Sequence, residues 1–166
     1  MRKITTGFFI SLLVFLFLSG CNSNSNGVVN EDLFQYKDSY VGDNSAVGNI
    51  TKQLPSPTGE QISELELKTT EPPYGIVLNY VPAETTDQIA ADYKELALYN
   101  ATFIFALVKN ADWVDFKFVE KEYRVTRESL ESWYGKDLSE FKSEDELSKF
   151  TQKYFEDENK VNDFFK

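Results

Sequence analysis

Residues 101–108 read Ala101-Thr102-Phe103-Ile104-Phe105-Ala106-Leu107-Val108, and this apolar stretch decides the fold. It continues a helical pattern that opens upstream, where Thr85 and Gln88 have the spacing of a capping box. We predict a long helix from Thr85 to about Asn110. Because 101–108 is apolar around the whole helix, it needs burial on more than one side. It is too short to cross a membrane, which takes about 20 apolar residues, so it predicts the central core helix of a globular domain.

Two pairs of strand-like segments flank this helix. Residues 64–69 and 76–81 are joined by Pro72-Pro73-Tyr74-Gly75, and residues 113–118 are followed closely by 122–125. Alternation of polar and apolar residues and short connections are typical of antiparallel hairpins. We therefore predict the α+β class, with an antiparallel sheet of about four strands packed on the long central helix.

Shorter helices are predicted before the first strand and after the last one, including short C-terminal helices. Each has a polar residue at its start that can accept a hydrogen bond from the first turn, and two have a residue that ends a helix. The marker residues are Asn44 or Ser45 with Pro55, Thr126 with Gly135, and Ser143 with Glu146.

The N-terminal residues have the layout of a bacterial lipoprotein signal. Arg2 and Lys3 precede an apolar run that ends in Leu18-Ser19-Gly20-Cys21. In such signals the cysteine thiol receives a diacylglyceryl group before the chain is cut ahead of it. We expect a signal peptide at 1–20, lipid on Cys21, a flexible tether at 21–31 and a single α+β domain at 32–166. This predicts a lipid-anchored protein on the extracytoplasmic face of the cell membrane.

The N-terminal run has two other interpretations. An uncleaved membrane helix at 4–18 would be shorter than the about 20 residues that span the hydrocarbon layer. A plain secretory signal usually ends in an Ala-x-Ala type site, without a cysteine at the cut. The lipoprotein interpretation is therefore preferred, and two or more acyl chains would hold the protein stably.

The chain is strongly acidic. It carries 27 Asp and Glu against 17 Lys and Arg, a net charge of −10, and removal of 1–20 would lower this to about −12 because only Arg2 and Lys3 are charged there. An acidic domain gains no affinity for nucleic acid from counterion release, and anionic lipid headgroups repel it. We exclude nucleic acid as a partner and expect the tether to hold the domain off the membrane.

Several residue types that carry chemistry are missing from the sequence. It contains no histidine, and its one cysteine, Cys21, would be consumed by lipid, so no disulfide can form. Nucleophiles that need an imidazole base are excluded, and zinc and copper lose their commonest ligands. We predict no cofactor, no metal and no catalytic residue, while carboxylate chemistry, a lysine base or an all-oxygen metal site remain open.

Four segments carry a resemblance to a known family: Tyr36-Lys37-Asp38-Ser39-Tyr40-Val41-Gly42-Asp43-Asn44-Ser45, Glu71-Pro72-Pro73-Tyr74-Gly75, Tyr99-Asn100-Ala101 and Trp133-Tyr134-Gly135. With these segments the chain resembles the lipoprotein family of low-GC Gram-positive bacteria known as domain of unknown function number 4825, over most of 32–156. Similar domains lie beyond the membrane part of metallopeptidases of the β-lactam-sensor type. The resemblance implies an extracytoplasmic accessory or sensing module. It brings no catalytic residues, and the His-Glu-x-x-His motif of those peptidases is absent here.

The start of the first helix is the best candidate binding site. Asp43, Asn44 and Ser45 lie where backbone donors at a helix N-terminus can bind an anion, and Tyr40 could add an aromatic wall. Their ordinary role is capping, because their side chains compete for the same donors.

Other candidate groups have simpler interpretations. Asp112 and Asp115 could approach another carboxylate to bind calcium or act as an acid/base pair, but surface solubility explains the acidic residues better. The 72–75 segment resembles a recognition loop, although proline and glycine are ordinary turn residues. We interpret Trp133 and Tyr134 as core rather than ligand-stacking residues.

Three functional hypotheses follow. The first is a non-enzymatic, membrane-anchored interaction or sensory module with an envelope or membrane protein partner. The second is a small-ligand or cation binder at Asp43 and the nearby tyrosines. The third, an enzyme that uses two carboxylates, has the least support.

Overall fold

The computed structural model describes residues 32–84 and 92–166. The signal at 1–20, the tether with Cys21 and the capping box at Thr85 and Gln88 lie outside these residues. The described α-helices and strands are α1 (Asn44–Gln53), β1 (Glu60–Lys68), β2 (Gly75–Pro82), α2 (Tyr93–Leu107), β3 (Trp113–Lys117), β4 (Glu122–Thr126), α3 (Arg127–Tyr134), α4 (Glu144–Phe155) and α5 (Glu158–Phe164). Short 3-10 helices cover Leu33–Tyr36 and Leu138–Glu140.

The four strands form one sheet in the order β1-β2-β3-β4. The β1–β2 and β3–β4 hairpins are antiparallel, as predicted. The pairing of β2 with β3 is parallel, so the prediction of a purely antiparallel sheet is wrong at its centre. The physical reason is the connection: the chain leaves β2, passes through α2 and returns in the same direction, as a parallel pair requires.

One face of the sheet packs into the main core and the other is more open. Ile76, Leu78, Val114, Phe116 and Val125 are buried in the main core. The strand registers place alternate residues on the opposite face, which we call the outer face. Its members include Glu64, Glu66, Val77, Asn79, Trp113, Asp115, Lys117 and Arg124.

Helix α2 supplies much of the core. Asp92 caps it by accepting hydrogen bonds from the Lys94 and Glu95 amides, and the helix runs from Tyr93 to Leu107. The prediction of one helix from Thr85 to about Asn110 is wrong at both ends, because the backbones of Asp92 and Val108 are extended. Residues 100–107 are all buried, which confirms the prediction of burial on more than one side. No helix in the described part of the chain is long and apolar enough to span a membrane.

The short helices follow their predicted signals closely, with one exception. The Thr126 side chain caps α3, and Gly135 ends it in the left-handed region at φ 64°. Ser143 caps α4 by accepting from the Glu146 amide. The predicted cap of α1 is wrong by one residue, because the helix starts at Asn44 and the N-cap position is held by Asp43.

The aromatic residues near the C-terminus pack together as core residues. Tyr134 is buried, and its hydroxyl lies 3.0 Å from the Thr102 hydroxyl. Trp133 is half-buried, with its ring centroid 5.1 Å from that of Tyr154. This placement agrees with the core interpretation of both residues.

Candidate functional site

Residues 108–112, which link α2 to β3, hold two surface loops; we call them the 108–112 connection. The first is the 38–43 loop ahead of α1. The Lys109 amide donates to the Ser39 carbonyl (2.9 Å), and the Ser39 amide donates to the Leu107 carbonyl (3.1 Å). The Val41 amide donates to Asn110 Oδ1 (2.7 Å). This loop is therefore fastened to the connection by its backbone.

The second loop, at 71–75, is fastened to the other end of the connection. The Tyr74 amide donates to Asp112 Oδ2 (2.6 Å), and the Asp112 amide donates back to the Tyr74 carbonyl (2.8 Å). Residues 109 and 112 are three positions apart, so their Cα atoms are separated by at most about 11 Å. Two segments singled out in the sequence are thus anchored at neighbouring points of one surface.

Arg127 holds the connection in place from the first position of α3. Its guanidinium donates to the carbonyls of Phe105 (2.9 Å), Val108 (2.8 Å) and Ala111 (2.9 Å). The last carbonyls of a helix have no partners within the helix, and cations near them also complement the helix dipole. Arg127 therefore ends α2 and fixes the start of β3 at the same time.

The predicted site at Asp43, Asn44, Ser45 and Tyr40 has a different geometry from the one expected. Asp43 makes no side-chain cap bond to α1; its Oδ2 accepts from the Tyr40 amide at 2.9 Å. Asn44 and Ser45 are exposed at the start of the helix. The carboxylate of Asp43 thus closes its own turn, and the structure brings Asp43 and Tyr40 together through the backbone.

Tyr40 lies at the surface beneath a lysine rather than in the wall of a pocket. It is 49% exposed, and Lys109 Nζ lies 4.3 Å from its ring centroid. The hydrogen bond to Tyr40 raises the pKa of Lys109. The ring is therefore already covered in part by a cation.

Asp112 and Asp115 each have a structural partner. Asp115 binds Arg124 through two parallel contacts of 2.6 Å, from Nε to Oδ1 and from Nη2 to Oδ2, and this pairing raises the pKa of Arg124. Asp112 holds the 71–75 loop. Within residues 32–84 and 92–166, no group of three or more acidic side chains is placed to hold a metal ion.

Trp113 has a structural role that the sequence alone did not predict. Its indole lies against the backbone of Gly75, where an added Cβ would be 2.0 Å from Cε2. Its Nε1 donates to the Pro73 carbonyl (3.1 Å), and the Arg124 guanidinium lies 4.4 Å from the ring centroid. The alternation of 113–117 could have placed Trp113 on the outer face, but only the register shows that it faces Gly75.

A surface depression of about 520 Å³ lies beside this indole; we call it the Trp113 depression. It is lined by Pro73, Asp112, Trp113, Thr126, Arg127, Glu128 and Glu131. Asp112 and Glu128 are exposed, as is Glu71 at the start of the 71–75 loop. The charge of Arg127 is directed to the α2 carbonyls and to Glu131 Oε1 (3.2 Å), so the accessible charge of the depression is mainly negative.

Taken together, the fold and this site define a small α+β domain that presents two fastened loops at one end. A family model described as a domain of unknown function, DUF4825, matches residues 33–128. The match covers more than half of the 166 residues, and the chain therefore belongs to this family. The matched segment contains both loops, the 108–112 connection, Trp113 and Arg127. Neither a curated protein nor a solved structure matches the chain.

Proposed function

We propose that this protein is a membrane-anchored, extracytoplasmic interaction or sensory module without catalytic activity. The observation that carries the proposal is the fastening of the 38–43 and 71–75 loops to one connection. Pro73 of the second loop and Asp112 of the connection also line the Trp113 depression. Residues on loops that a rigid scaffold positions are well suited to binding. Trp, Tyr and Arg, which are enriched in binding hot spots, are represented here by Trp113, Tyr40 and Arg124.

The proposed anchor is lipid on Cys21, which follows Leu18-Ser19-Gly20 in the sequence. A tether at 21–31 would let the domain reach a partner in the envelope or membrane. The resemblance to extracytoplasmic domains of metallopeptidase sensors supports an accessory or sensory role in such a complex.

A second candidate function is the binding of a small ligand or cation. The volume of the Trp113 depression lies within the about 300–1,000 Å³ of ordinary ligand sites, and it combines apolar and polar groups. In this candidate function the ligand binds beside Trp113 and not at Asp43, because the Asp43 carboxylate already accepts from the Tyr40 amide.

Site-specific photo-crosslinking in intact cells tests the interaction function. A photoreactive amino acid would replace Glu71 or Glu128, both exposed at the proposed surface, and Lys153, exposed on α4, as the control. We expect one membrane or envelope protein to be captured from positions 71 and 128 and not from 153. Equal capture from all three positions, or none at 71 and 128, would contradict the proposal.

The anchor has its own test. The Cys21→Ala variant should lose labelling by a radioactive fatty acid, because it lacks the thiol that would carry the lipid. A Ser25→Ala variant in the same segment is the control and should label normally. Continued labelling of the Cys21→Ala protein would contradict lipidation at this residue.

A further inference from the structure

We propose that the Trp113 depression binds a cationic side chain, lysine or arginine, of the partner protein. This inference rests on the proposed interaction function and names the chemistry that the surface recognises. Three features support it: the depression beside Trp113 is concave, part of its lining is apolar, and its exposed charges are negative.

The charge of the depression selects a cation. Asp112 and Glu128 are exposed carboxylates in its lining. Arg127, the one cation in that lining, donates to three backbone carbonyls and to Glu131. It is therefore already engaged and does not neutralise the two exposed acids, so an anionic or neutral segment would gain less there.

The neighbouring arginine does not fill the depression. Arg124 is held by both oxygens of Asp115, with two contacts of 2.6 Å, and stacks on the Trp113 ring. It does not belong to the residues that line the depression. The bidentate pair holds the guanidinium over the indole and outside the depression.

The apolar part of the lining favours a side chain over a metal ion. Gly75 and Arg124 cover part of the Trp113 indole. Pro73 and the part of the indole that lines the depression offer apolar surface on which the methylene stem of lysine or arginine can pack while its charged end meets a carboxylate. In the described residues the acids do not form a metal-binding group. An ammonium or guanidinium on an apolar stem therefore matches the depression better than a compact ion does.

Protein NMR with a defined probe tests this inference. The probe is an acetylated and amidated hexapeptide of alternating glycine and arginine, and the matched control peptide carries neutral citrulline in place of each arginine. We expect the arginine peptide to shift the Trp113 indole N–H and the amides of Thr126 and Glu128, and the citrulline peptide to bind more weakly. Equal affinity for the two peptides, or shifts confined to other surfaces, would overturn the inference.

Matched variants separate recognition from folding. Glu128→Gln and Asp112→Asn should each weaken binding of the arginine peptide by about two- to fivefold, as expected for one partly exposed charge pair. Asparagine keeps an acceptor for the Tyr74 amide, and Glu120→Gln removes an exposed charge elsewhere. Unchanged affinity in the first two variants, or an equal loss in Glu120→Gln, would contradict the inference.

The outcomes also distinguish this inference from the proposed function. A partner captured in cells at positions 71 and 128, together with no binding of the arginine peptide, would refute the cationic chemistry alone. Peptide binding without any captured partner would refute the proposed function. If argininamide by itself binds as tightly as the peptide, the depression is a small-cation site and the inference of a partner side chain is wrong.

Discussion

Gly75 is the residue on which the geometry of the site depends most directly. From the sequence we interpreted it as an ordinary turn residue, yet it is the first residue of β2 and pairs with Trp113 of β3. The indole occupies the space in which any other residue would place its Cβ. A glycine is required here for close packing between a backbone and a ring, a reason that a single sequence cannot distinguish from turn formation.

The Gly75→Ala variant should displace the Trp113 ring and lower the free energy of unfolding by about 1–3 kcal/mol, the usual cost of overpacking. Urea unfolding followed by circular dichroism measures this change. Gly48→Ala is the matched control, because its nearest neighbour would be Leu65 Cδ2 at 4.0 Å and alanine favours the helix. It should stabilise the protein by about 0.5–1 kcal/mol. An equal effect of the two substitutions would contradict the packing described for Trp113.

At the scale of elements, the 108–112 connection joins parts of the chain that are far apart in sequence. Arg127 at the start of α3 donates to the carbonyls of Phe105 and Val108 at the end of α2, while the two loops bind the connection by their backbones. The sequence placed α3 and its Thr126 cap correctly. The sequence could not show that Arg127 binds the carbonyls at the end of α2, because this contact depends on the position of β4, which directly precedes α3.

The Arg127→Met variant keeps much of the aliphatic stem and removes the donors. We expect it to lower the free energy of unfolding by about 3 kcal/mol, because buried carbonyls lose a charged partner. Urea unfolding provides the value, and hydrogen exchange at residues 109–112 should become faster. The Lys149→Met control breaks an exposed pair with Asp145, and its effect should stay within about 0.5 kcal/mol. A similar small effect for Arg127→Met would contradict its role in fixing the connection.

The strand pattern shows how far local sequence could be used. The alternation of polar and apolar residues located all four strands. The short connections within each pair correctly predicted that β1 pairs with β2 and β3 with β4. The start of β1 was predicted at Glu64 instead of Glu60, because a register irregularity between Ile62 and Glu64 breaks the alternation. The parallel contact between the hairpins depends on the path of α2 across the sheet, which alternation does not encode.

At the scale of the whole molecule, three tyrosines in different parts of the fold resist ionisation. Burial raises the pKa of Tyr80 to about 12, and a hydrogen bond to Glu60 at 2.6 Å raises the pKa of Tyr93 to about 12. Burial also raises the pKa of Tyr134 well above its usual value. All three favour the neutral hydroxyl in the folded state.

Stability should therefore fall in alkaline solution. Unfolded tyrosines ionise near pH 10, whereas these three stay neutral in the folded protein, so their contribution is complete below pH 10 and is lost as the pH rises toward 12. Urea unfolding at pH 8, 10 and 11 should show a declining free energy of unfolding. The Tyr93→Phe variant should show a shallower decline than the native protein. A free energy of unfolding that stays constant from pH 8 to 11 would contradict the raised pKa values.

The overall charge and the placement of the two loops together lead to the proposed function. The sequence identified both loops but assigned the candidate site to Asp43, because side-chain type alone does not show that its carboxylate closes a local turn. The Trp113 depression draws on the 71–75 loop, β3, β4 and α3. Such a site becomes visible only when the strand order is known.

The most direct test of the proposed interaction surface is the yield of photo-crosslinking in living cells at position 128 compared with position 153. We predict a specific partner at 128, shared with position 71, and background yield at 153, with the capture at 128 reduced by Gly75→Ala in a protein that remains folded. The same yield at 128 and 153 would contradict the assignment of the loop end as the surface through which this protein acts.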